Sequence, residues 1–143
     1  MVRNILAGLL GVVTLGAVVM TLQQVSAALW PLPDGLDPFD PAEAEAWSTY
    51  LDSMPSTAWL LAMVSEVLGA FCGAVVAGWV ARDAGKHVAG IVVGLGLALS
   101  VVNWVSFRHP VWFLFGQMVL YPAAYLAAVR ILAGRGHPEG AGA

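Results

Sequence analysis

The chain has 143 residues, 59% of them hydrophobic and 10% charged, with a formal net charge of −3. A soluble domain is about 25% charged, and no fold of this length hides so much apolar surface from water, so a lipid bilayer is the expected solvent and partner. The acidic balance excludes nucleic acid, which needs a basic surface, and the single cysteine, Cys72, excludes an intrachain disulfide and a multi-cysteine metal site.

Residues 4–28 form the first apolar run, and a spanning helix needs about 20 residues at 1.5 Å rise. Arg3 at its start and Val25-Ser26-Ala27 at its end also fit a cleaved signal. The apolar run from Ile5 to Leu22 is longer than the ~7–15 residues of a signal h-region, which favours a retained helix. Residues 29–56 differ in kind: they hold five prolines, six acids and no Lys or Arg. The prolines punctuate an extended segment. At its end Asp40 is placed to cap a helix, Pro41 fits the first helical position, and Glu43 follows the cap by three. Phe39 is placed to staple onto Ala44. A short helix over 41–53 sets Trp47, Tyr50, Leu51 and Met54 at i, i+3, i+4 and i+7, one apolar face suited to lying on a membrane surface or across the top of a bundle.

The second run, 57–81, carries one charge, Glu66. Ser65, Gly69, Gly73, Ala77 and Ala81 recur every four residues, a stripe that lets another helix approach closely. A polar turn from Arg82 to His87 follows. The third run, 88–107, has Gly90, Gly94 and Ala98 at the same spacing, so the second and third runs are expected to pack as a close antiparallel hairpin. After a short turn with Arg108 and His109, the fourth run covers 111–132, with Pro122 expected to kink it by freeing the carbonyl of Met118. Residues 134–143, which include His137, read as a disordered tail.

The expected fold is therefore all-α: a polytopic four-helix transmembrane bundle forming one membrane domain, with a short amphipathic helix in the outer loop between spans one and two. Arg3, Arg82, Lys86, Arg130 and Arg135 fall on one side and Arg108 on the other, which by the positive-inside rule puts both termini in the cytoplasm of a cell (inner or plasma) membrane.

Polar residues inside apolar helices are costly and mark candidate sites. Counted from the outer face, Glu66, Gln117, Asn103, Gln23 and Gln24 all lie roughly 6–14 Å deep at 1.5 Å per residue. This level predicts one shared polar cluster, which Arg108, His109 and Tyr121 are near enough to join. A charged acid there costs about 2.5–3.5 kcal/mol, so Glu66 is either protonated or supplied with partners. Asp34, Asp37 and Asp40 lie three apart but lack the spacing of a calcium loop, and no nucleophile elbow, phosphate loop, zinc or dinucleotide signature occurs. No metal or cofactor is expected.

The stretches LWPLPDGLD, MPSTAWLLAMVSEVLGAFCGAVVAGWVA and HPVWFLFGQMVLYPAAYLAAVRI resemble small four-helix bacterial integral membrane proteins of uncharacterised function. That resemblance implies a fold and no activity. Three functional readings follow from the residues. The first is a non-enzymatic subunit or homo-oligomer, packed through the glycine stripes, whose outer polar cluster stabilises it or binds a small polar or lipid ligand under the 41–53 helix. The second is a small proton- or cation-coupled transporter or channel using Glu66. The third is a membrane enzyme using Glu66 with His109.

Overall fold

The computed structural model describes residues 1–37 and 40–134. Phe39, Arg135, His137 and the tail fall outside these residues. The described chain is all-α, in the order α1 (Val2–Leu29), a 3-10 turn (Pro41–Glu43), α2 (Ala44–Ser53), α3 (Ser56–Ala81), a second 3-10 turn (Arg82–Ala84), α4 (Gly85–Ser106) and α5 (Val111–Gly134). Three continuous helical stretches are long and apolar enough to cross a membrane: Val2–Leu29, Ser56–Ser106 and Val111–Gly134. The second is divided where Arg82 takes a φ of +55° and ends α3, so the bundle has four long helices. α5 continues through Pro122.

α3 is the hub. It packs against α1, α4 and α5, and twelve of its 26 residues are buried, against two of 28 in α1. α1 and α3 run antiparallel, because the Gly11–Gly73 and Leu15–Gly69 contacts pair rising with falling numbers. A Cβ on Gly73 would stand 2.5 Å from the Gly11 carbonyl oxygen, so only hydrogen at this position allows the two backbones to touch. α3 and α4 also run antiparallel, with Ala70 beside Gly96 and Gly73 beside Val92.

The α3 stripe has a second partner, α1, beside the one the sequence predicts, and the small residues of α4 are not what meets it. Gly69 faces Leu15 and Val19, and Gly73 and Ala77 face Gly11, so this side of α3 receives α1. α4 shares the stripe at Gly73 and Ala77 through Val92, and meets α3 beside it through Ala89, Val93 and Ser100. Gly90 faces the Tyr125 ring of α5, Gly94 has nothing within 4 Å, and Ala98 is exposed. The spacing of small residues is the same on both helices, but spacing along a helix does not say which neighbour its face will meet.

α2 lies across the end of the bundle. Its Leu51 joins Trp59, Met63 and Phe113 in one buried cluster, with Trp47, Tyr50 and Met54 packed against it. That is the apolar face the i, i+3, i+4, i+7 spacing predicts. The cap forms in part: Asp40 Oδ1 accepts from the Ala42 amide at 2.9 Å, whereas Glu43 reaches back past Asp40 to the Asp37 amide. Glu43 thereby ties the extended segment to the helix start. Between them Gly35, at a φ of +81°, completes a turn in which Leu36 N–H donates to Pro33 O.

Charge is divided between the two ends. Arg3 donates to the Ala81 carbonyl at 3.1 Å and stands 3.7 Å from Asp83, which gathers Arg3, Arg82 and Lys86 at one end. Arg108 and the acidic 29–56 segment share the other.

Candidate functional site: a cleft over Glu66

Glu66 comes from α3, and three side chains of α4 and α5 organise it. Ser100 Oγ donates to Glu66 Oε2 at 2.5 Å, and Gln117 Nε2 donates to the same oxygen at 2.6 Å. The serine has one proton and directs it to the carboxylate. The 2.7 Å contact between Ser100 Oγ and Tyr121 Oη therefore has the phenol as donor. Gln117 and Tyr121 are four apart on α5 and so share a face, and they are only 1% and 2% exposed. The result is a directed chain, Tyr121 to Ser100 to Glu66, with Gln117 as a second donor. These bonds occupy two of the roughly four lone-pair sites of a carboxylate, so Glu66 keeps capacity for another partner.

Above Glu66 the helices separate around a cleft of about 490 Å³. Its walls come from the end of α1 (Gln23, Ala27, Trp30), from α2 (Trp47, Tyr50, Leu51) and from α3 (Trp59, Ala62), closed by Asn103, Phe107, His109 and Phe113. Aromatic bulk holds it open. Trp59 packs edge-on to Phe113 with centroids 5.7 Å apart, His109 stands 5.0 Å from Trp59, and Trp47 stacks on Tyr50 at 5.5 Å. Tyr50 Oη donates to the Trp30 carbonyl at 3.1 Å, fastening α2 to the end of α1. Burial pushes the Tyr50 phenol up from its usual value, so it keeps the proton this bond needs. The Trp47 indole N–H is buried without a hydrogen-bond partner among the described residues.

The structure brings together part of the polar level read from the sequence. Glu66, Gln117 and Tyr121 are joined by hydrogen bonds. Asn103 and Gln23 line the cleft but are exposed, and Gln24 lies outside its lining. Arg108 is exposed on the outer side of α2, in a depression shared with Asp40, Glu45 and Asp52, and is not a partner of Glu66. His109 borders the cleft, but its Nδ1 bonds the Phe107 carbonyl at 2.8 Å. Glu66 and His109 thus line one cleft without a hydrogen bond between them among the described residues. No group of three potential metal-ligating side chains occurs among the described residues.

Ser100 is the residue the sequence reading missed. A serine in an apolar helix usually satisfies itself on its own backbone, as Ser65 does with Ala62 O and Ser106 with Val102 O, so it gives little signal. The available clue is its position one turn before Asn103 on α4. The aromatic lining contributed by Trp30, Phe107 and Phe113 was likewise invisible until the helices were placed.

The fold and cleft thus define an all-α chain with helices long and apolar enough to cross a membrane and a carboxylate at the base of an aromatic cleft. No known protein family, curated protein or solved structure matches this chain.

Proposed function

We propose that this chain is a four-span protein of the inner or plasma membrane, with both termini cytoplasmic, and that it acts as a non-enzymatic binding protein. Its ligand is a small amphipathic molecule taken into the cleft from the outer leaflet, with α2 as the cover. The observation that carries this reading is the cleft itself. Ligand pockets are mostly apolar concavities of about 300–1,000 Å³ with a few placed polar groups, and this one has aromatic walls over a single hydrogen-bonded carboxylate. Membrane insertion is supported by the outward leucines and valines of α1, among them Leu6, Leu9, Leu10 and Val13, each about half exposed or more. The gathering of Arg3, Arg82 and Lys86 at the end opposite the acidic segment supports the orientation.

A transport reading, in which Glu66 exchanges a proton or cation, draws on the Tyr121–Ser100–Glu66 chain. Tyr121 is 2% exposed, so the chain ends in the packed core, and binding without a through-path fits better.

The binding reading is tested by native mass spectrometry of protein extracted gently from its membrane. Wild type is expected to retain one small molecule or lipid per chain. Ala62→Trp and Ala27→Trp, which fill the cleft from α3 and from α1, are expected to lose it. Equal retention by wild type and both folded variants would remove the cleft as the binding site.

A further inference from the structure

We propose that the ligand class of this cleft is an organic monocation, an amine or quaternary ammonium attached to an apolar group. This rests on the binding reading above and specifies it. Three independent features of the site converge on that chemistry.

The first is charge. Among the lining residues Glu66 is the one acid, and no Lys or Arg occurs. The partners of Glu66 are a serine hydroxyl and a glutamine amide, both neutral. They orient the carboxylate without cancelling its charge, whereas a cation beside it completes the pair. An anion placed in the same cleft would meet that carboxylate, and the one titratable nitrogen group in the lining, the His109 imidazole, is already engaged by the Phe107 carbonyl.

The second is the wall. Trp30, Trp47, Tyr50, Trp59, Phe107 and Phe113 surround the space over Glu66. Aromatic faces carry negative potential and attract cations, most strongly when the cation is desolvated. A strongly hydrated metal ion would gain little from such walls, and the described residues supply no cluster of ligands for one. An alkylated ammonium is weakly hydrated, presents methyl and methylene groups to the rings, and matches both wall and floor. The volume of about 490 Å³ leaves room for the apolar group attached to it.

The third is the rim. Asp34, Asp37, Asp40, Glu43, Glu45 and Asp52 lie in the segment that leads to and includes α2, and this segment has no Lys or Arg. These acids outnumber Arg108, the basic side chain beside Asp40, Glu45 and Asp52, and a predominantly negative surface raises the local concentration of cations near the opening.

The experiment uses the full chain in nanodiscs of digalactosyldiacylglycerol, a neutral lipid that carries no ammonium group and so does not concentrate cations at its surface. Benzyltrimethylammonium and its neutral carbon isostere, neopentylbenzene, are titrated separately while tryptophan emission is recorded. The expected result is at least tenfold tighter binding of the cation, with Glu66→Gln abolishing that preference and leaving the isostere unaffected. Equal affinities for the two probes in wild type would overturn the cationic assignment while leaving the cleft as a binding site, and this comparison holds even if Glu66→Gln fails to fold. Binding of neither probe would overturn both. A parallel titration in phosphatidylcholine nanodiscs identifies the source: weaker apparent binding means the lipid headgroup competes, and unchanged binding means a free cation is the ligand.

Discussion

The two ends of this bundle solve the same packing problem in opposite ways. Toward the basic end, α1, α3 and α4 meet through Gly11, Gly73, Ala77 and Val92, with backbone against backbone. Toward the acidic end, the contacting residues are Trp47, Trp59, Phe113 and Met63, and helices held apart by rings leave a cleft. Small residues draw helices together and exclude everything else, while large ones brace them and leave a space. The second arrangement also keeps a partly open carboxylate within a shell of neutral donors. The difference places rigidity at one end and room for a ligand at the other.

The largest expected effect strikes the close-packed end. Gly73→Ala adds one methyl group that would stand 2.5 Å from the Gly11 carbonyl oxygen and 3.1 Å from Leu15 Cβ. Backbone cannot yield as a flexible side chain does, so α1 must move off α3. Overpacking of this kind costs about 1–3 kcal/mol, and the upper part of that range is expected, read as a lowered unfolding midpoint in mild detergent. An unchanged midpoint would mean that the α1–α3 contact is not the closure described here.

A smaller effect is expected at the polar floor of the cleft. Gln117→Leu keeps the volume but takes one donor from Glu66, leaving Ser100 alone. Interhelical hydrogen bonds in membranes average only about 0.6 kcal/mol, and leaving a buried acceptor short of a partner adds to this, for a total of about 1–2 kcal/mol. Adding Glu66→Leu to that variant removes the Glu66–Gln117 pair and frees the Ser100 hydroxyl to bond its own helix backbone, so most of the loss is expected to be recovered, because apolar groups of similar shape can replace a paired set at little cost. If the double variant is as weak as the sum of the singles, Glu66 and Gln117 are not coupled.

These two sites were legible in the sequence to different degrees, for a physical reason. Hydropathy and length announce long helices, because they report a property of each helix by itself. The Trp47, Tyr50, Leu51 face was legible for the same reason, since periodicity within one helix defines it. Glu66 stood out because a carboxylate in an apolar run has no cheap explanation. What the sequence withheld was pairing. The glycines of α3 had two possible recipients, and they use both: Gly69 faces α1, Gly73 lies between α1 and Val92 of α4, and the Gly90, Gly94 and Ala98 repeat meets neither glycine. Arg108 fell near the level of Glu66 when depth was counted from the outer face, but it lies in the depression on the far side of α2. Ser100 completes the site by crossing from α4 to α3, and only its place one turn before Asn103 sets it apart from serines that bond to their own backbone.

The smallest expected effect carries the sharpest contrast. Gly94→Ala is chemically the same change as Gly73→Ala, made in another long helix of the bundle. Nothing lies within 4 Å of the added methyl. The helix loses a residue that is about 1 kcal/mol worse than alanine in a helix interior, so the variant is expected to be unchanged or slightly more stable, by less than about 1 kcal/mol. The two substitutions should thus move the unfolding midpoint in opposite directions or leave Gly94→Ala still. A loss of stability at Gly94 that grows with protein concentration in the membrane would carry a different meaning. It would show that the Gly90, Gly94 and Ala98 side of α4 meets a second chain, because within one chain the methyl has nothing to strike. The repeat in α4 would then be an intermolecular counterpart of the α3 stripe, and the single chain would be only part of the assembled unit.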